Sequence, residues 1–303
     1  MLNSTPPIAS GFALQSQASG KSRKPAALKF SLAHLTVLGC APPQATYVAA
    51  RAGYDFVSYR TISLGLPNEP TYELAHNNVM LRQTKRALAE TGLKLHDIEL
   101  ARIADGIEVR SYLPGLETAA ELGARHVISS IWTPKRSYAM DRLAELCDLA
   151  KTLGLTINLE FVTWACVANL QEAIAVCRAV DRENCGILVD TLHFHRSRVR
   201  LDELDAVPRE LFHFAHVCDA PKEIPLTADG LMHTAREARL DLGEGGIDIG
   251  AILDRLPEMP YSLEVPNLER AKELGYLEHA RRCLANARTY LSAHSRAQPL
   301  MQV

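Results

Sequence analysis

The sequence predicts a single (β/α)8 TIM barrel of the α/β class, and three observations carry that expectation. From Leu28 onward, eight short β-rich runs alternate with longer amphipathic segments, the order that a parallel sheet with crossover helices requires. Gly53, Gly92, Gly123 and Gly154 each close a helical pattern just before a strand, where a left-handed residue ends a helix without a Cβ clash. The run of about 275 residues for eight βα units matches a barrel of this kind. A doubly wound sheet fits less well. Its Gly-rich first turn is missing, because the first strand runs into His34 and Leu35.

The first strand is read in KFSLAH from Lys29, with a helix over residues 42–52. The second, YDFVSYR from Tyr54, precedes a helix over 77–91, and the third, LKLHDIELA from Leu93, one over 108–122. HVISSIW from His126 and LTINLEF from Leu155 lead into helices over 138–153 and 169–180. CGILVDT from Cys185, FHFAHVCD from Phe212 and YSLEV from Tyr261 complete the set, and one last helix spans 270–294. Several runs are continuously apolar, as strands buried on both faces are. No linker divides the chain. Residues 1–27 read as a flexible N-terminal extension, 28–294 as the barrel, and 295–303 as a C-terminal tail.

Composition narrows the function. With 47% hydrophobic and 22% charged residues in 303, a large core is attainable. A net charge of −2 gives no global attraction to nucleic acid or acidic lipid. No run reaches the ~18 apolar residues of a membrane span, and polar and basic residues interrupt the first 28 before a signal-peptide core can form. The seven cysteines include no C-x-x-C pair and fall mostly in apolar segments, so they read as small buried side chains in a reducing compartment. The expected setting is cytoplasmic, with a small molecule as partner and neither nucleic acid nor membrane. Two tryptophans and a long C-terminal helix are compatible with a homodimer.

In a barrel the chemistry sits at the C-terminal ends of the strands. The polar residues there are His34, Arg60, Glu99, Trp132, Glu160, Asp190, His216 and Glu264. The last four each follow an apolar approach: INLE, ILVD, FAH and SLE. A carboxylate at the end of a buried strand is unfavourable unless it is paired or metal-bound. Three of them with one imidazole on four successive strands would converge and repel one another without a cation. A divalent metal held by Glu160, Asp190, His216 and Glu264 is the simplest resolution. Around it, Trp132 and Trp164 are candidate walls for a ring ligand. Arg60, Lys135, Lys222, Arg236 and above all Arg239 are candidate anion anchors. The turn at Gly243–Gly246 reads first as a tight turn leading into the next helix, and as a second reading offers backbone N–H groups to an anion.

These segments resemble the xylose-isomerase-like superfamily of sugar isomerases and epimerases, over roughly residues 28–291. The likeness rests on NLEF around Glu160, LVDTLHF from Leu188, FAHVCDA from Phe214, LGEGGIDI from Leu242 and SLEVPN from Ser262. It implies that the four strand-end residues are the metal ligands and that His193 contacts substrate. Ketose 3-epimerases of the group carry a further acid and an Arg where this chain has Cys166 and Lys222, so the metal site transfers better than the substrate.

The resulting expectation is a metal-dependent isomerase or epimerase working through an enediolate, with Glu160 and Glu264 as the acid/base pair. His193, Arg239, Trp132 and His34 are expected to contact substrate. The three-oxygen, one-nitrogen donor set favours Mn²⁺ or Mg²⁺ over Zn²⁺ or Co²⁺. A dehydratase of the inosose or 3-dehydroshikimate type shares the enediolate, and a non-catalytic sugar-binding barrel is the other alternative. A DNA-repair nuclease is disfavoured by the charge balance.

Overall fold

The computed structural model describes residues 28–66 and 69–297. Eight parallel strands close into a barrel in sequence order: β1 (Phe30–Leu32), β2 (Phe56–Arg60), β3 (Lys94–Ile103), β4 (His126–Ile131), β5 (Thr156–Glu160), β6 (Cys185–Asp190), β7 (Ala215–Val217) and β8 (Tyr261–Leu263). Closure is made by β1 against β8, with Phe30 opposite Tyr261 and Leu32 opposite Leu263. The helices are α1 (Pro42–Ala52), α2 (Asn78–Thr91), α3 (Leu113–Glu121), α4 (Arg136–Lys151), α5 (Leu170–Val180), α6 (Thr191–Arg196), α7 (Leu201–Asp205), α8 (Ala228–Glu237), α9 (Ile249–Leu253), α10 (Leu268–Leu274) and α11 (Tyr276–Ala297). All four expected junction glycines take positive φ. Among the described residues no helix is long and apolar enough to cross a membrane.

The strands are buried on both faces, as their apolar runs predict, but the two faces differ. The main core lies between strands and helices, where Ile157, Leu159, Ile187, Val189, Ala215, Val217 and Leu263 pack outward. Among the described residues, Ile128, Leu188 and Phe214 form a separate apolar cluster inside the barrel, with Leu100 against them. Below and around it the barrel is polar, with Ser31, Ser58, Asp97, Asn158 and Ser262 all buried. The period of two therefore holds. In TINLE the outward Ile157 and Leu159 alternate with Thr156, Asn158 and Glu160, which face the axis. This alternation aims the strand-end acids inward. Register then brings them side by side, because Asp190 pairs with His216 and His216 with Ser262, two residues before Glu264.

Three boundaries differ from expectation. β3 runs on to Ile103, with a register shift between Ile98 and Ala101, so Glu99 is interior to the strand rather than at its end. The last helix is two, broken at Gly275, whose φ of 75° ends α10. α11 continues through Ala297, past the expected start of the tail, whereas residues 1–27 and 298–303 lie outside the described residues.

The Gly-rich turn after β7 has a structural occupant. The Asp219 carboxylate accepts from the backbone N–H groups of Ala220, Gly243, Gly245 and Ile247 at 2.8–3.1 Å. Its donors are thus committed to a carboxylate of the chain itself, and the anion-binding expectation for this turn is withdrawn. A Cβ on Gly245 would collide with the Ala220 carbonyl and with Asp219. Gly245→Ala is expected to lower unfolding free energy by about 1–3 kcal/mol, read by urea denaturation. Wild-type stability would contradict this account of the turn.

Candidate metal centre

Four strand ends deliver the cluster. Glu160 closes β5, Asp190 closes β6, His216 lies within β7, and Glu264 follows β8. One ligand atom from each lies within 4.8 Å of the other three, and all four side chains are buried. The Nδ1 atom of His216 stands 3.6 Å from Glu160 Oε1 and 3.3 Å from Glu264 Oε2. Donor atoms sharing one divalent ion at ~2.0–2.2 Å are about 3–3.6 Å apart, so this spacing fits a shared cation.

The state of His216 is the sharper test. The residue is 1% exposed, yet neither ring nitrogen has a hydrogen bond. Glu160 likewise accepts no hydrogen bond within 3.5 Å among the described residues and meets only His216. An orphaned buried imidazole facing carboxylates is unfavourable alone and is satisfied by a cation that both can ligate. The residues present fit a divalent metal.

Asp190 and Glu264 have other partners as well. Asp190 Oδ1 caps α6 by accepting from Leu192 N–H at 2.7 Å, and Oδ2 accepts from Arg239 Nη1 at 2.7 Å. Arg239 Nη2 lies 2.8 Å from Glu264 Oε2, and Nε donates to the Ala235 carbonyl. Each carboxylate oxygen keeps a second lone-pair site for a metal. Arg239, 2% exposed, is expected to hold substrate. It also grips two cluster acids from the side and lends them a fixed positive charge.

The charges shape proton affinity. Burial pushes Glu160 up to about 7 against the pull of His216. Burial acts the same way on Glu264, but His216 and Arg239 outweigh it and hold that carboxyl below its usual range. For His216, burial opposes protonation, yet Glu264 and Glu160 raise its affinity well above the ordinary value. The metal-free centre therefore carries protons on His216 and, below about pH 7, on Glu160. A cation must displace them, so metal affinity rises with pH and weakens as pH falls through about 7. Calorimetry at pH 6.5 in buffers of different ionisation enthalpy is expected to show proton release on metal binding. Release of none, with affinity flat from pH 6 to 8, would contradict this electrostatic picture.

Above the cluster opens a cleft whose wall includes Glu160, Glu264, His193, Arg239, Trp132 and Trp164. His193 accepts from Thr163 N–H at Nδ1, which leaves the ring proton on Nε2. Burial holds its pKa down to about 4, so it is a neutral donor at working pH. Trp164 meets its ring edge-on at 5.2 Å. Trp132 is fixed by Nε1 donating to Ser130 Oγ.

His34 is placed differently from expectation. Its Nε2 meets the Cys40 carbonyl at 2.8 Å and its Nδ1 accepts from Arg60 N–H at 2.6 Å. Both nitrogens are used by backbone, so His34 fastens the β1 and β2 ends and has no atom free for substrate. Lys135 pairs with the exposed Asp105. The cleft also contains Arg102, which the sequence reading did not single out because it ended the third strand too early.

With this geometry in view, the comparisons fall into line. A family model described as a xylose isomerase-like TIM barrel matches residues 47–287. The chain is similar to an inosose isomerase of Bacillus velezensis, 26% identical over 224 residues, covering 69% of this chain and 76% of that protein. It is also similar to a 3-dehydroshikimate dehydratase of Pseudomonas aeruginosa, 26% identical over 254 residues, which are 78% of this chain and 38% of that larger protein. Among solved structures, the IOLI protein with a bound zinc atom superposes with a TM-score of 0.73 at 21% identity, covering 88% of this chain and 99% of that one.

Proposed function

The chain belongs to the xylose isomerase-like TIM barrel family, and from that premise we propose that it is a divalent-metal-dependent isomerase or epimerase of a sugar- or polyol-like keto substrate. One observation carries the reading. Of the four clustered ligands, Glu160 and Glu264 reach the cleft wall, whereas Asp190 and His216 lie beneath it. The buried pair suits holding a metal. The two cleft carboxylates can hold it and also face a substrate.

A bound divalent cation supplies Lewis-acid polarisation of a carbonyl and countercharge for a developing oxyanion. The residues do the rest. Glu160 is the base that takes the proton from the carbon beside the substrate carbonyl, since it has no competing hydrogen bond. Glu264, ionised at rest, takes up a proton from solvent and delivers it to the enediolate, while Glu160 gives the abstracted proton back to solvent. Arg239 keeps Glu264 and Asp190 oriented. The Nε2–H of His193 donates to a substrate oxygen, and the two tryptophans exclude water from the reacting face. Mn²⁺ or Mg²⁺ suits the oxygen-rich donor set. Zn²⁺ is the alternative, supported by the zinc of the similar IOLI structure.

A dehydratase is the second reading, supported by the similarity to the 3-dehydroshikimate enzyme. It begins with the same proton abstraction and then expels a β-hydroxyl. The test of both is incubation of the metal-loaded protein in D₂O with inososes, ketoses and 3-dehydroshikimate, followed by proton NMR. Metal-dependent deuterium entry at the α-carbon supports the reading, and the appearance of a new alkene signal selects the dehydratase. Tight ligand binding with no exchange under any metal would overturn both and favour a binding barrel.

A further inference from the structure

The cleft has a basic end that the chemistry so far does not use. Arg60, Arg102 and Arg236 line it together with the metal-facing acids. Arg60 is neutralised, with Glu69 Oε1 at 3.0 Å and Glu99 Oε2 at 2.9 Å. Among the described residues, neither Arg102 nor Arg236 has a carboxylate within ion-pairing distance. Arg102 donates one Nη2–H to the Leu64 carbonyl at 2.8 Å and lies over the Trp132 ring at 5.9 Å. These contacts restrain the side chain and leave the rest of its fork unbound. Arg236, half-buried near the end of α8, makes no hydrogen bond or ion pair among the described residues. Burial, then the nearby Arg60 and Arg102, disfavour its charge, and the pull of Glu69 and Glu237 only partly offsets them.

Like charges gathered at a partly desolvated wall without partners are unfavourable, and an anionic ligand reverses the sign of that interaction. Arg239 offsets one of the two charges on Asp190 and Glu264, and a divalent cation would offset the other together with that of Glu160, so the acids of the metal centre leave no charge over for Arg102 and Arg236. A neutral polyol could accept hydrogen bonds from these guanidinium groups but would not offset their charge. A carboxylate or phosphate on the substrate would take hydrogen bonds from both.

We propose that Arg102 and Arg236 form an anion subsite at one end of the cleft, so that the substrate is a keto-polyol carrying a carboxylate or phosphate rather than a neutral sugar. The proposal rests on the isomerase or lyase reading of the same cleft, and it narrows the substrate class. It also assigns Trp132 a second task, as the ring face over which the Arg102 charge rests.

The experiment is calorimetric binding to the full-length, metal-loaded protein of inosose, of 3-dehydroshikimate and of a ketose phosphate, with inorganic phosphate and acetate as bare probes. An anionic ligand is expected to bind at least about tenfold more tightly than neutral inosose. Arg236→Gln and Arg102→Gln are each expected to remove about tenfold or more of that preference, and Arg236→Lys to restore part of it. Tighter competition by phosphate than by acetate assigns the phosphate, and the reverse assigns the carboxylate. Equal affinity for neutral and anionic ligands, or equal losses for both in the variants, overturns the subsite. α-Proton exchange in the same samples separates the two claims. Exchange with no anion preference removes the subsite alone, and anion preference without exchange removes the catalytic reading alone.

Discussion

Glu160→Gln and Glu264→Gln are each expected to slow α-proton exchange by about 10²–10⁴-fold while the protein still takes up metal. The amide keeps an oxygen that can ligate a cation, but it cannot accept the α-proton at neutral pH. The two variants should differ in other respects. Burial disfavours the ionised Glu160, so without metal its neutral amide variant should melt at or above the wild type. Glu264 also faces Arg239 and His216, so its variant should lose stability too. Deuterium exchange by NMR, metal content and thermal melting separate these effects. Full exchange in both variants would end the assignment of the acid/base pair.

Arg239→Met should give the largest loss of stability. The side chain fills the same volume but removes the charge that matches Asp190 and Glu264 in a site with almost no access to water. Breaking such a buried pair costs about 3–5 kcal/mol, a fall in melting temperature of roughly 6–10 °C for a chain this size. Added divalent metal should recover part of that loss, because it binds the folded state and supplies the missing positive charge. A variant melting within about 1 °C of the wild type, with or without metal, would mean that Arg239 does not balance the cluster.

Much of the barrel was legible because local signals agreed with the global fold. The αβ glycines take the left-handed backbone their positions required, and the strand order followed from the βα rhythm. The four cluster residues were legible for a related reason. Each stands as a charged or imidazole side chain at the end of an apolar run, and the barrel topology converts neighbouring strand ends into spatial neighbours.

What was not legible depended on partners far away in sequence. His34 looks like a strand-end ligand until Cys40 and the Arg60 backbone are seen to take both nitrogens. The turn at Gly243–Gly246 looks like an anion cradle, and it is one, but for Asp219 of the same chain. Arg239 carries no local sign that its fork spans two acids on different strands. Arg102 was missed because the register shift in β3 carries that strand further than its composition suggests. The polar lining of the axis was hidden by outward apolar residues, which dominate short strands when they are read as continuous runs.

The central claim is that Glu160, Asp190, His216 and Glu264 hold one divalent cation, and metal analysis of the purified protein tests it most directly. The wild type should contain, or take up from Mn²⁺, Mg²⁺, Zn²⁺ or Co²⁺, about one equivalent. The Glu160→Ala/Asp190→Ala double variant, checked for a cooperative melt, should contain none. A wild-type protein that neither carries a metal nor acquires one from any of these four ions would contradict the account.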